Sequence, residues 1–321
     1  MDPLTHGLLG LAIGNLRRPD AQRRAVLLGC VLAAELPDLD YLWPAADPVL
    51  HTLRAHRGLS HSLLLAPLVA LAATGLAKLF VRDARWHVIF PWALAATALG
   101  HLLADAWTGW GTRLLLPFSS ERVTLDWMMV LDPLFTAPLL IGALWGVRRR
   151  TLLRTPLLVG LATSCLYLLT RITLQHTIER TVRDHYPSAE SIHVFPSWIG
   201  PVRFRYVAVA RDHYAVGAAR VGSPPEEQAR HPRTAVTPAS ASARSNPTVR
   251  EALAWARFPL VREEPRPAGG VHVDIADLRY HLNGEPTLRF HIDLDARGNV
   301  LAASLHRGGT ARSLLERFHK Q

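Results

Sequence analysis

The chain has 321 residues, 49% of them hydrophobic, a formal charge of +10 and two cysteines. Cys30 and Cys165 lie far apart in apolar runs without a CxxC partner, which excludes a disulfide framework and a thiolate zinc site and leaves both as small buried hydrophobes. No helix carries a basic stripe interleaved with aromatics, so nucleic acid is not an expected partner; a membrane protein with its positive loops inside accounts for the charge.

Residues up to about 170 are strongly apolar, and the remainder is polar and rich in Arg and Pro. The start, MDPLTHGLLGLAIGNLRRPD, places its acidic residue before the apolar run and its arginines after it. That order is the reverse of a secretory signal, and the N-terminus is expected to be retained. Apolar segments follow at 4–16, 25–36, 62–81, 88–104, 127–147 and 152–170. The third, fifth and sixth approach the roughly 20 residues that cross a bilayer, the fourth is marginal, and the first two are short enough for a re-entrant hairpin. The expected fold is mostly α: a polytopic membrane bundle of about six segments over residues 1–170, followed by a small β-rich soluble domain over 171–321. Arg17, Arg18, Arg23, Arg24, Lys78, Arg82, Arg85, Arg148–Arg150 and Arg154 occupy alternate connections, and the other connections carry only Arg54, Arg57, Arg113 and Arg122. The positive-inside rule then puts the N-terminus, the loop around His56–His61 and the C-terminal domain on the extracytoplasmic face of a bacterial inner membrane; Arg171, Arg180 and Arg183 oppose that orientation.

Histidines and carboxylates collect at the ends of these segments. Asp2 and His6, like His101 and Asp105, are i, i+4 pairs that share one helix face. In Glu35-Leu36-Pro37-Asp38-Leu39-Asp40 the proline stops a helix, and an extended continuation would turn Asp38 and Asp40 to the same side. His56-Arg57-Gly58-Leu59-Ser60-His61 sets two histidines around a turn, with Gly58 for the bend, Ser60 as a helix cap and Arg57 able to hold a phosphate or a carboxylate. Asp126 and Asp132 follow at the start of the fifth segment. If the segments alternate across the bilayer, all these groups meet at one membrane face. Histidine and carboxylate together are ligands for Zn²⁺ or a related divalent ion, and ionisable groups at membrane segments point to function. The expected ligands are Asp2, His6, Asp38, Asp40, His56, His61, His101 and Asp105, with Arg57 at the substrate and Asp40 or Asp126 as general base. Trp107, Trp110 and Trp127 are expected to be interfacial anchors.

In the tail, Arg205–Val221 reads as two strands broken at Arg211-Asp212-His213, and Val271–Leu282 and Leu288–Leu305 alternate apolar and polar residues as strands do. Asp295-Ala296-Arg297-Gly298-Asn299 supplies a hairpin turn, and 222–247, rich in Pro, Ser and Ala, reads as a flexible loop.

DPLTH, PDLD, HRGLSHS and HLLADAWTGWGTRLLLPFS, in that order over about residues 1–170, resemble the YdjM-like bacterial inner-membrane proteins described as metal-dependent hydrolases. Ser60 stands where that family often has Thr. The family is similar, at a distance, to zinc-dependent phospholipase C and nuclease enzymes. That resemblance implies two or three divalent ions, Zn²⁺ first among them, held by His6, Asp38, His56, His61, His101 and Asp105. It also implies hydrolysis of a phosphodiester or an ester, and the position at a membrane face points to a lipid or lipid-linked substrate. The rival expectation is a non-catalytic membrane protein, either a metal transporter or a structural protein whose polar clusters hold helices together. A serine hydrolase is not expected, because no GxSxG elbow is present.

Overall fold

A computed structural model describes residues 1–42, 48–148, 154–197, 200–233, 246–267 and 269–307. The chain divides into two compact units, the first made of Met1–Trp43, Ala55–Gln175 and Pro196–Pro201 and the second of Pro44–Arg54, His176–Phe195 and Val202–Gln321.

In the first unit, α1 (Pro3–Leu16) starts where Pro3 needs no N–H partner and where Asp2 accepts the Thr5 N–H at 3.0 Å and the Thr5 hydroxyl at 2.6 Å. It packs against α2 (Arg23–Glu35), and the contact depends on Gly10, where a Cβ would stand 2.6 Å from the Cys30 carbonyl oxygen. A second close approach, at Gly100, brings α1 against α5 (Trp86–Ala106). Residues Ala96–Leu103 of α5 widen into a π-helix, a distortion often found where a helix carries a functional side chain. Ala33, Ala70, Ala73 and Ala93 knit α2, α4 (Ala66–Phe80) and α5 together, whereas Leu8, Leu9, Phe135, Leu139 and Leu157 join α1 to α6 (Pro133–Arg148) and α7 (Arg154–His185).

Each apolar segment forms a helix, but the expectation of about six membrane segments is corrected. Among the described residues only α5 and α7 are long and apolar enough to cross a membrane, with a third span if the pair Val49–His61 and Ala66–Phe80, bent by 77°, counts as one. α1, α2, α4 and α6 have 14, 13, 15 and 16 residues. At about 1.5 Å per residue they fall short of a hydrocarbon core about 30 Å thick. α7 continues to His185 beyond its apolar part, helped by the Glu179–Arg183 pair at i, i+4 and 3.0 Å.

The second unit contains two four-stranded sheets, ordered β1-β2-β3-β4 and β10-β9-β6-β5. The first comprises β1 (Ser191–Pro196), β2 (Arg203–Val209), β3 (His213–Arg220) and β4 (Glu226–Pro232). The second comprises β5 (Pro259–Pro265), β6 (Val271–Asp277), β9 (Leu288–Leu294) and β10 (Val300–Arg307). β7 (His281–Leu282) and β8 (Glu285–Pro286) form a small hairpin. β2 and β3 pair antiparallel across the expected Arg-Asp-His break. The β9–β10 turn is held by Asp295, whose carboxylate accepts the Asn299 N–H at 2.8 Å, with Gly298 at φ +82°. The loop expected over 222–247 is corrected in part, since Glu226–Pro232 pairs with β3; 234–245 lie outside the described residues. α3 (Pro48–Arg54) and α8 (Pro247–Trp255) also belong to this unit and are joined by Arg54 Nε and Glu251 Oε1 at 3.0 Å.

His281 is 2% exposed, and burial, assisted by the Arg205 charge, pushes its pKa down to about 3. The neutral ring is therefore kept in the native state while the unfolded chain protonates. The sheet unit is predicted to lose stability progressively as pH falls from about 6.5 toward 3. His281→Phe should flatten that slope in thermal unfolding followed across this range; an unchanged slope would contradict it.

Candidate metal centre

Each histidine of the cluster is oriented by its own Nδ1. His101 Nδ1 lies 2.6 Å from the Ala34 carbonyl oxygen and His6 Nδ1 3.0 Å from that of Gly100. A carbonyl oxygen only accepts, so both rings carry the proton on Nδ1 and turn a bare Nε2 inward. The two rings stack with centroids 4.0 Å apart. His61 Nδ1 sits 2.9 Å from Ser60 Oγ and 3.4 Å from Asp40 Oδ2, which again leaves Nε2 for the centre.

At that centre His61 Nε2 and His101 Nε2 are 3.0 Å apart. Asp38 Oδ1 is 3.3 and 3.7 Å from them, and Asp105 Oδ2 is 3.4 and 3.8 Å from them. Two lone pairs and two carboxylate oxygens facing one another repel unless a cation lies between them. Tetrahedral ligands about 2.0–2.1 Å from a Zn²⁺ ion stand about 3.4 Å apart, and the observed separations bracket that value. Asp105 Oδ2 is buried and has no hydrogen-bond partner, as expected of an atom prepared for an ion. The donor set therefore fits a divalent metal. One ligand atom from each of Asp38, His61, His101 and Asp105 falls within 4.8 Å of the others, and a second such group comprises Asp40, His56 and His61.

Asp38 and Asp40 are not on an extended segment as the sequence suggested. They lie in a 3-10 helix, Leu36–Leu42, whose tighter winding sends them to opposite edges of the His61 ring, Asp38 to Nε2 and Asp40 to Nδ1. Asp40 accepts from His56 Nδ1 at 3.0 Å, Ser60 Oγ at 2.9 Å and the Arg57 N–H at 3.2 Å. Burial alone would raise its pKa, but the hydrogen bonds from His56 and His61 outweigh burial and hold the carboxyl well below the usual range. Arg57, not Gly58, takes the left-handed turn conformation, at φ +57°. Its guanidinium is buried and points inward, 2.9 Å from Asp105 Oδ1 and 2.8 Å from Thr108 Oγ1. Ser60 caps no helix; Ser62 Oγ accepts the Leu65 N–H instead.

The other predicted residues have different partners. The Asp2 carboxylate caps α1 and belongs to neither ligand group. His6 also lies outside both groups but reaches Asp105 Oδ1 at 3.2 Å. Asp126, buried at φ +55°, is in neither group. Asp132 accepts the Leu134 N–H at the start of α6 and the Tyr167 hydroxyl at 3.1 Å. Glu35, three residues before Asp38, is pushed up to about 7, first by burial and then by the Asp38 charge. Sequence reasoning missed Tyr41, whose ring lies 3.8 Å from that of His56, and the α-amino group of Met1, which pairs with Asp105. Tyr41 directly follows the PDLD motif and could have been read; the orienting carbonyls of Ala34 and Gly100 carry no side-chain signal.

The family model described as YdjM inner membrane protein matches residues 1–177. A curated relative, the uncharacterized protein YfhP of Bacillus subtilis (strain 168), is 28% identical over 238 residues, covering 69% of each chain. No solved structure matches.

The depressed Asp40 carboxyl contributes stability that is complete above its unfolded value of about 3.9 and is lost as pH falls through its native one. Asp40→Asn is predicted to lower unfolding stability by about 1–3 kcal/mol at neutral pH. In thermal melts the gap from wild type should narrow below about pH 4. A gap that widens with acid would contradict this assignment.

Proposed function

The chain belongs to the YdjM inner membrane protein family, and from that premise we propose that it is a membrane-bound, metal-dependent hydrolase of phosphodiester or ester bonds. The single observation that carries the reading is the set of inward-facing donors from Asp38, His61, His101 and Asp105. A divalent ion held there, Zn²⁺ being the best match to the donors, would supply Lewis acidity and lower the pKa of a water molecule.

This chain's own residues then have separate tasks. His61 and His101 present Nε2, fixed by Asp40 and by the Ala34 carbonyl. Asp38 and Asp105 supply negative charge, and Arg57 positions Asp105 while balancing its charge. Asp40 is a poor general base, because protonating it would displace donors from both oxygens. We assign proton transfer to His56, whose Nδ1 is held by Asp40 at 3.0 Å in the manner of a His–Asp pair. In the balanced reaction the oxygen of water bonds to phosphorus, or to the acyl carbon, as the bond to the leaving oxygen breaks. The proton lost by water passes through His56 to that oxygen, which departs as an alcohol. A multi-pass topology is supported by α5 and α7, each long and apolar enough to cross a membrane.

The test is hydrolysis of bis(p-nitrophenyl) phosphate and p-nitrophenyl esters by detergent-purified protein supplied with Zn²⁺ or Mn²⁺. Metal-dependent turnover should fall by about 100-fold or more in His101→Ala and Asp38→Asn. In His56→Gln kcat should fall more than KM rises, with loss of one limb of the pH profile. Bound metal without turnover on either substrate class would overturn the hydrolase reading in favour of a non-catalytic metal protein.

A further inference from the structure

We propose that the groove between α1 and α2 seats one hydrocarbon tail of a membrane lipid whose ester or phosphoester headgroup reaches the Asp38/His61/His101/Asp105 cluster. The headgroup half of this assignment rests on the hydrolase reading; the tail site stands on the groove itself.

The groove is shallow and open, with a volume of about 420 Å³, and Leu4, Leu8 and Leu11 line it from α1, with Val31 and Glu35 from α2. Positions 4, 8 and 11 form one stripe along a helix, and at about 1.5 Å per residue they extend over about 10 Å. At Gly7 a Cβ would stand 2.8 Å from Glu35 Oε1, so the glycine lets that carboxylate close against α1 at the edge of the groove. The polar residue of the groove, Glu35, is three residues before Asp38, and Gly7, which it faces, directly follows His6, whose Nε2 lies 3.2 Å from Asp105 Oδ1.

The turns that carry the ligands reinforce this reading. Leu39 lies between Asp38 and Asp40, Leu59 between Arg57 and Ser60, and Leu63 and Leu64 just after His61, and each is at least half exposed. Leu42, next to Tyr41, is 77% exposed. Loops bathed in water place polar residues at such positions, and contiguous exposed leucines mark a surface that meets something apolar. In an inner-membrane protein family, with α5 and α7 of spanning length nearby in the same chain, that surrounding is lipid. A lipid moving laterally could therefore place its tail along Leu4–Leu8–Leu11 and its polar linkage beside the buried ligands without crossing water.

The experiment uses the full chain in nanodiscs of phosphatidylethanolamine and phosphatidylglycerol containing a phosphatidylethanolamine with a diazirine in its acyl chain. After irradiation, labelled peptides are mapped in wild type and in Leu11→Trp and Val31→Trp. Both of these side chains are only partly buried, so either variant can fold if the other fails. Label should concentrate on residues 3–11 and 31–35 above the level on α6 and α7. It should fall about tenfold in each variant, the affinity that contact with roughly two methylenes is worth. Label spread evenly over α1, α6 and α7, or unchanged by both tryptophans, would overturn the tail site. A labelled groove in protein that hydrolyses nothing would sink the hydrolase reading and leave the tail site standing. Turnover of bis(p-nitrophenyl) phosphate without groove labelling would sink the tail site alone.

Discussion

A carboxylate with no exposure to solvent must be answered by positive charge, and Asp105 is that carboxylate. Arg57, from the turn after α3, and the α-amino group of Met1 supply that charge, while Nε2 of His6 and of His61 also lies within 3.4 Å of its carboxylate. Removing any one partner would leave the others holding a buried charge that they only partly balance. The packing of α1 and α2 around α5, and the unusual backbone of Arg57, follow from collecting those groups in one place. Even with these partners, Asp105 Oδ2 keeps an unused lone pair directed at His61 and His101. The remaining electrostatic demand is for a cation.

Close approach of backbones makes the gathering possible. Gly10 and Gly100 let α1 lie against α2 and α5, and alanines at 33, 70, 73 and 93 keep the neighbouring helices tight. Small residues serve this purpose in membrane helices, where packing rather than hydrophobic exclusion holds helices together. The same proximity turns backbone carbonyls into structural parts of the site. Ala34 and Gly100 fix the tautomers of His101 and His6, so the chemistry of the cluster depends on residues with no functional side chain.

Much of the candidate site could be read from the sequence, because its ligands come in compact motifs at helix ends: PDLD, HRGLSHS and the His101/Asp105 pair at i, i+4. What could not be read was the division of labour within each motif. Asp2 and Asp132 look like site carboxylates but cap helices, a role that depends on where a helix starts. Asp38 and Asp40 separate because the chain tightens into a 3-10 turn after Pro37. In the tail, β2, β3, β6, β9 and β10 were visible through alternation. β4 and β5 lie at sheet edges, where Glu226, Glu227, Arg262 and Glu264 face solvent, and so lack the apolar period. The number of membrane spans was overestimated because apolar length counts toward packing as readily as toward crossing; α1 and α2 spend theirs on each other and on α5.

The central claim is that the Asp38/His61/His101/Asp105 donors hold a divalent ion. Elemental analysis of detergent-purified protein, equilibrated with Zn²⁺ or Mn²⁺ and freed of excess metal, tests it directly against His61→Ala and His101→Ala, with folding checked by circular dichroism. The account predicts at least about one ion per wild-type chain, lost from both variants while they remain folded. Wild-type protein that retains no ion after equilibration with several divalent metals would contradict it.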